Sequence, residues 1–130
     1  MDYSKLSITE IRQGLLDKKF TAQQIVQFFL DKITRLDPQL KAFITVSDEF
    51  ALNQAKAIDE KIAAGKEIGK LAGSVMAVKD IFLTKGIQTT AASQMIAGYI
   101  PQYSSTVFQK LVDEDAICIG KTNTDPFAFG

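Results

Sequence analysis

The chain has 130 residues, 46% of them hydrophobic, and its 15 Lys and Arg residues balance 15 Asp and Glu residues. This size and polarity are typical of one globular domain, and zero net charge argues against nucleic acid as a general electrostatic partner. Histidine is absent, which excludes Ser-His-Asp and Cys-His catalysis, His-ligated zinc and histidine pH switching within this chain.

The single cysteine, Cys118, lies in an apolar stretch and therefore predicts a buried small hydrophobe without an internal disulfide. The first residues lack the layout of a signal peptide. The strongest apolar cluster, residues 25–30, is too short to span a bilayer. We expect a soluble cytoplasmic protein.

The first third of the chain has the pattern of helices. Capping-box spacing at Ser7 and at Thr21 predicts two helix starts. We expect the second helix to end near Asp37-Pro38, because proline disfavours a helical residue before it. Residues 40–46 predict an extended link or a short strand.

A third helix is predicted from Ser47, with Gly65 as a left-handed C-terminal cap. Beyond it, a strand at 75–78, a helix at 105–114 and a strand at 116–119 outline a right-handed βαβ unit with a parallel sheet.

Residues 80–104 lack a periodic signal but are too apolar for disorder, so we expect them to pack over something. The sequence stops soon after a strand, in an apolar segment, with too few strands for a covered sheet. We therefore expect a piece of a larger fold.

Lys79 places an amine at the end of the first of these strands. An unpaired ammonium inside a sheet is costly, so this amine must lie either at a surface edge or in a site. For a strand-end lysine taken alone, extension of the side chain to water is the commoner outcome.

Three blocks of sequence resemble one family. They are LAGSVMAVKDIFLTKGIQTTAAS (71–93), YIPQYSSTVFQKL (99–111) and AICIGKTNTDPFAFG (116–130), in the family's order and spacing. The chain is identified by them as a member of the amidase-signature family. Within that family it is most similar to the N-terminal part of the A subunit of aspartyl/glutamyl-tRNA(Asn/Gln) amidotransferases.

The resemblance implies a Ser-cis-Ser-Lys triad, in which a lysine of lowered pKa replaces histidine as the base. Lys79 is the position that carries over as this general base, and its burial would supply the lowered pKa. Both family serines lie downstream of the GKTN block, so this sequence ends before them. Ser104 and Ser105 are better explained as helix caps.

Other matched positions have simpler interpretations. Asp80 should point away from Lys79 in a regular strand and have a structural hydrogen-bonding role. Thr89, Thr90 and Ser93 lie in a segment that resembles part of the active-site wall, although such hydroxyls are more often local caps. Of these, Thr90 and Ser93 are the candidates for substrate binding. Residues 120–123 resemble a structural loop beside the site and lack the glycine spacing of a phosphate-binding loop.

The resemblance implies an α/β fold, in which N-terminal helices precede the start of an amidase-signature mixed sheet with flanking helices. We expect one partial domain, with a helical region at 1–66 and the start of the core at 67–130. No metal or cofactor is expected in this chain.

The family's whole enzyme hydrolyses glutamine and passes ammonia to a partner that amidates Glu-tRNA(Gln) or Asp-tRNA(Asn). The resemblance therefore implies B and C subunits as partners, with ATP, magnesium and tRNA bound by the partner subunit. We expect the present chain alone to be inactive. Two alternatives stay open, namely an amidase acting on small amides and a non-catalytic module whose helices dock a partner.

Overall fold

The two capping boxes start the first two helices. The computed structural model describes residues 1–130 and places α1 at Ile8–Leu16 and α2 at Ala22–Leu40. The Ser7 hydroxyl accepts a hydrogen bond from the Glu10 amide, and the Thr21 hydroxyl accepts one from the Gln24 amide. Both reciprocal side-chain bonds are also present, so the predicted starts are confirmed.

Helix α2 is longer than predicted. It continues through Pro38 and ends at Leu40, and the capping residue Lys41 has a left-handed conformation. The Asp37 carboxylate accepts hydrogen bonds from the amides of Ala42 and Phe43, which fixes the chain as it leaves the helix. Proline removes one backbone donor, and these end contacts keep the last turn in place.

Helix α3 spans Asp48–Ala63, and Gly65 follows it with a φ of +68°, as predicted. The helix also caps its neighbour. The Asp59 carboxylate accepts hydrogen bonds from the amides of Ala22 at 2.7 Å and Gln23 at 3.1 Å. These amides have no partner within α2 itself, so Asp59 joins α3 to the start of α2.

The sheet has three strands: β1 (Phe43–Val46), β2 (Val75–Lys79) and β3 (Ile117–Thr122), in the order β1-β3-β2. β2 and β3 are parallel and joined through α4 (Thr106–Asp113), which confirms the predicted β-α-β unit. β1 pairs antiparallel with β3. Residues 120–122 are therefore part of a strand, not of the predicted loop, because β1 extends the pairing of β3.

The core forms two clusters around alternate residues of β3. Ile117 and Ile119 join the helical residues of α1, α2 and α3, whereas Cys118 packs with Val78, Ile87 and Phe108. Alternation of side chains along a strand explains this division. The sheet therefore lies between the N-terminal helices and a second, smaller apolar layer.

The long segment between β2 and α4 folds back on itself. The amides of Gly86 and Thr89 donate to the carbonyls of Pro101 and Tyr99, and the Ser105 amide donates to the carbonyl of Leu83. Ile87 and Pro101 are its buried apolar residues, and the other residues that it buries are polar. The remaining large apolar side chains are mostly exposed, so the packing expected from the apolar content is largely not seen within residues 1–130: Phe82, Met95, Ile96, Tyr99 and Ile100. None of the helices has the length and apolarity needed to cross a membrane.

Candidate active site

Lys79 lies at the carboxyl end of β2 with its side chain exposed. Its ammonium makes no hydrogen bond or ion pair within residues 1–130. The burial expected for Lys79 is thus wrong for this chain. The reason is that Lys79 lies on the same face of β2 as the exposed Ala77, and nothing within residues 1–130 covers this end of that face.

The buried lysine of this region is Lys121, on the neighbouring strand β3. Its side chain is fully buried, and its ammonium donates to the carbonyl of Phe82 at 2.9 Å. It also donates to the hydroxyls of Thr84 at 3.0 Å and Thr89 at 2.8 Å. An ammonium has three N–H donors, so these contacts use all of them.

Asp80 supplies the charge that balances this ammonium. Its Oδ1 atom lies 3.2 Å from Lys121 Nζ, both side chains are fully buried, and Oδ1 has no hydrogen-bond donor of its own. The contact is therefore an ion pair without an aligned hydrogen bond, since the three donors of Lys121 point elsewhere. Burial lowers the pKa of Lys121, and Asp80 offsets part of that effect.

The other oxygen of Asp80 fixes a turn in the following segment. Oδ2 accepts hydrogen bonds from the Thr90 hydroxyl at 2.5 Å and the Thr90 amide at 3.1 Å. The Asp80 carbonyl accepts from the amide of Ala91. Ala91 and Ala92 both have positive φ, 49° and 56°. Such a conformation is costly for alanine, so Asp80 stabilises a strained turn.

The hydroxyl side chains predicted as candidates each have a hydrogen-bond partner other than Lys79. Thr90 uses its hydroxyl on Asp80, and Ser93 uses its hydroxyl to accept from the Met95 amide. Ser105 caps α4, and Ser104 accepts a hydrogen bond from the Lys85 amide. Ser105 is therefore a helix cap, as predicted, whereas Ser104 joins the long segment to its own end, and none of these serines forms a hydrogen bond with Lys79. The substrate role of Thr90 and Ser93 stays a prediction.

Sequence reasoning missed the pairing of Lys121 with Asp80. A signal was present, because β2 and β3 are consecutive parallel strands, Asp80 follows β2 directly, and Lys121 lies near the carboxyl end of β3. The carboxyl ends of adjacent parallel strands lie at one edge of the sheet. Opposite charges at two such ends indicate an ion pair.

Neither a cysteine nucleophile nor a metal site is indicated in this region. Burial raises the pKa of the Cys118 thiol, which opposes its use as a nucleophile. No cluster of three or more acidic, cysteine or histidine side chains is suited to hold a metal ion. What the edge of β2 does offer is one exposed amine beside a rigidly held turn.

Comparison with known proteins places this arrangement in a family. The family model described as Amidase matches residues 24–130. The chain belongs to the amidase family. Its residues 71–130, on which the sequence resemblance depends, lie entirely within that match.

Curated relatives of this amidase-family chain have a specific name. The A subunit of glutamyl-tRNA(Gln) amidotransferase from Synechococcus sp. (strain JA-3-3Ab) is 49% identical over 95% of the chain, which covers 24% of that protein. The protein of the same name from Alkaliphilus metalliredigens is 45% identical over 100% of the chain and is 26% covered. The chain thus spans about a quarter of the length of these relatives.

A solved structure supports the fold. The native peptide amidase from Stenotrophomonas maltophilia superposes with a TM-score of 0.90 at 25% identity, over 97% of this chain and 26% of that one. The chain therefore has the helices and the beginning of the mixed sheet of an amidase-family enzyme, as the sequence predicts.

Proposed function

We propose that this chain is part of the glutamine amidohydrolase subunit of a tRNA-dependent amidotransferase. The observation that carries the proposal is a difference in identity. The A subunits of two glutamyl-tRNA(Gln) amidotransferases are 45% and 49% identical to the chain, whereas the peptide amidase of the same fold is 25% identical.

In this proposal Lys79 is the general base. A neutral lysine amine accepts a proton, through a relay serine, from the serine that attacks the amide carbon. The carbonyl oxygen becomes an oxyanion. When this intermediate collapses, the C–N bond breaks, the proton held by Lys79 passes to the leaving nitrogen, and ammonia departs as the acyl-enzyme forms. Water then hydrolyses the acyl-enzyme and regenerates the serine.

The exposed position of Lys79 at an edge strand suits this role in a larger fold. A lysine must be desolvated to be neutral near pH 7, and residues 1–130 leave its side of β2 open. We propose that further strands and the serine-bearing segment of the full-length protein cover that side. Residues 1–130 alone should therefore not hydrolyse glutamine.

The ammonia would pass to a partner subunit that amidates Glu-tRNA(Gln) or Asp-tRNA(Asn). We propose B and C subunits as the partners, in the cytoplasm, with ATP, magnesium and tRNA bound by the partner subunit. Zero net charge and the lack of a metal-binding cluster in residues 1–130 are compatible with that division.

The test is a comparison of Lys79→Ala with Lys85→Ala in the full-length protein assembled with its partner subunits. Lys85 is also an exposed lysine of the same region, so it controls for loss of surface charge. We expect Lys79→Ala to abolish glutamine hydrolysis and Lys85→Ala to keep it. Glutaminase activity that survives Lys79→Ala would refute the proposed base.

The second candidate is an amidase acting on small amides, favoured by the close superposition with peptide amidase. The same preparation distinguishes the two candidates. Formation of Gln-tRNA(Gln) from Glu-tRNA(Gln), dependent on glutamine and ATP, supports the amidotransferase. Hydrolysis of simple amides without any tRNA amidation supports the amidase.

A further inference from the structure

The Lys121 ammonium organises the segment that follows Lys79. Four oxygen atoms surround it, and all belong to residues 80–89: a carboxylate oxygen of Asp80, the carbonyl of Phe82, and the hydroxyls of Thr84 and Thr89. The arrangement resembles the oxygen shell of a bound cation, with the cation tethered to β3. The segment bends around one buried positive charge.

This network holds the backbone on the carboxyl side of Lys79. The Lys79 carbonyl accepts a hydrogen bond from the Phe82 amide at 3.1 Å, and the Phe82 carbonyl accepts from Lys121 at 2.9 Å. The Asp80 amide donates to the carbonyl of Thr122 at 3.1 Å. The end of β2 is therefore attached to β3 through both backbone and side-chain bonds.

The same network continues into the strained turn. Asp80 pairs with Lys121 through Oδ1 and binds Thr90 through Oδ2, and the Thr90 hydroxyl accepts from the Ala92 amide. One buried carboxylate thus connects the Lys121 charge, the end of β2 and the positive-φ turn. Loss of the charge would loosen all three together.

We propose that Lys121 is a positioning residue, which acts through Asp80 and the turn at Phe82 to hold Lys79 in its reactive geometry. This inference rests on the proposed function of Lys79 as the base. Lys121 is not itself a second base, since its three donors are occupied and its side chain is fully buried.

The first test is steady-state amide hydrolysis by the full-length assembled enzyme carrying Lys121→Met. A displacement of about 1 Å at a reacting group can cost about 100-fold in rate, so we expect kcat to fall by that order with little change in KM. Lys61→Met is the matched control, because Lys61 also forms an ion pair, with Asp115 at 2.7 Å, away from this network. It should keep the wild-type kcat.

Substitutions at Thr89 separate positioning from packing. Thr89→Val keeps the shape but removes one acceptor of the Lys121 ammonium, whereas Thr89→Ser keeps the acceptor and removes a methyl group. We expect a lowered kcat for valine and a nearly normal kcat for serine. If Lys121→Met does not fold, the comparison of these two Thr89 variants tests the positioning role of Lys121. Equal losses for both, or none for valine, would overturn the proposal.

Hydrogen exchange gives a readout that does not depend on activity. In Lys121→Met, the amides of Thr90 and Ala92 should exchange faster, while that of Ala51 in α3 stays protected. If the wild-type enzyme hydrolyses no amide, the proposed function fails and exchange alone decides the role of Lys121. Unchanged exchange at the turn, or a folded Lys121→Met enzyme with normal kcat, refutes that role.

Discussion

The stability of the protein should depend strongly on Lys121 and only weakly on Lys61. Both lysines form ion pairs, and the Lys61–Asp115 contact is the shorter, at 2.7 Å against 3.2 Å for Lys121–Asp80. Burial differs in the opposite direction. The Lys121 and Asp80 side chains are fully buried, whereas those of Lys61 and Asp115 are 41% and 12% exposed, so water reaches this second pair from the lysine side.

The expected magnitudes follow from this burial. Removing one partner of a buried pair leaves an uncompensated charge and costs about 3–5 kcal/mol. An exposed pair contributes about 1 kcal/mol or less. With a urea slope of about 2 kcal/mol/M, Lys121→Met should lower the unfolding midpoint by about 2 M and Lys61→Met by about 0.5 M or less.

A double-mutant cycle identifies the cause. Asp80→Asn combined with Lys121→Met removes both charges, so the combined loss should be smaller than the sum of the two single losses by about 1–3 kcal/mol. Equilibrium urea unfolding followed by circular dichroism measures all four proteins. Additive losses, or a midpoint for Lys121→Met close to that for Lys61→Met, would refute the reasoning.

Three further predictions concern the strands, the pH dependence and the helix cap. Gly120→Ala should lower the thermal midpoint in a calorimetric scan, because the new Cβ would lie 2.5 Å from the backbone oxygen of Thr45 and would push β1 away from β3; an unchanged midpoint would contradict it. Burial holds the Lys121 pKa below its usual value, so the unfolded state binds more protons between the two pKa values. The free energy of unfolding of the wild type should therefore rise, relative to that of Lys121→Met, as pH increases toward about 10.4. A constant difference between the two proteins, measured by urea unfolding at several alkaline pH values, would contradict this prediction. Asp59→Ala removes the acceptor for two amides at the start of α2 and should cost about 1–2 kcal/mol in urea unfolding. The exposed Lys56→Ala of the same helix should cost much less, and equal losses would argue against the cap.

Local signals in the sequence predicted the helix starts well. The capping boxes at Ser7 and Thr21 involve side chains only three residues apart, so no tertiary information is needed to interpret them. The left-handed Gly65 belongs to the same class. The end of α2 was predicted too early. The Asp37 carboxylate accepts hydrogen bonds from the amides of Ala42 and Phe43, and helix propensities do not include such side-chain contacts.

The environment of the two lysines could not be predicted from local pattern. Lys79 and Lys121 each follow an apolar run, yet one is exposed and the other fully buried. The difference arises from the face of the sheet, since Lys121 pairs with the buried Val78, whereas Lys79 is one residue further along β2 and points to the opposite face. It also depends on the fold of residues 80–89 around Lys121, which no periodicity indicates.

The Lys121 network also determines the order in which this part of the chain can fold. Lys121 lies 39 residues after Phe82, 37 after Thr84 and 32 after Thr89 in the sequence. Contacts of such separation form late, after the loop-closure entropy has been overcome. During synthesis, the segment after Lys79 therefore leaves the ribosome well before the residue that orders it. The geometry around the proposed base is completed only when β3 has emerged and docked.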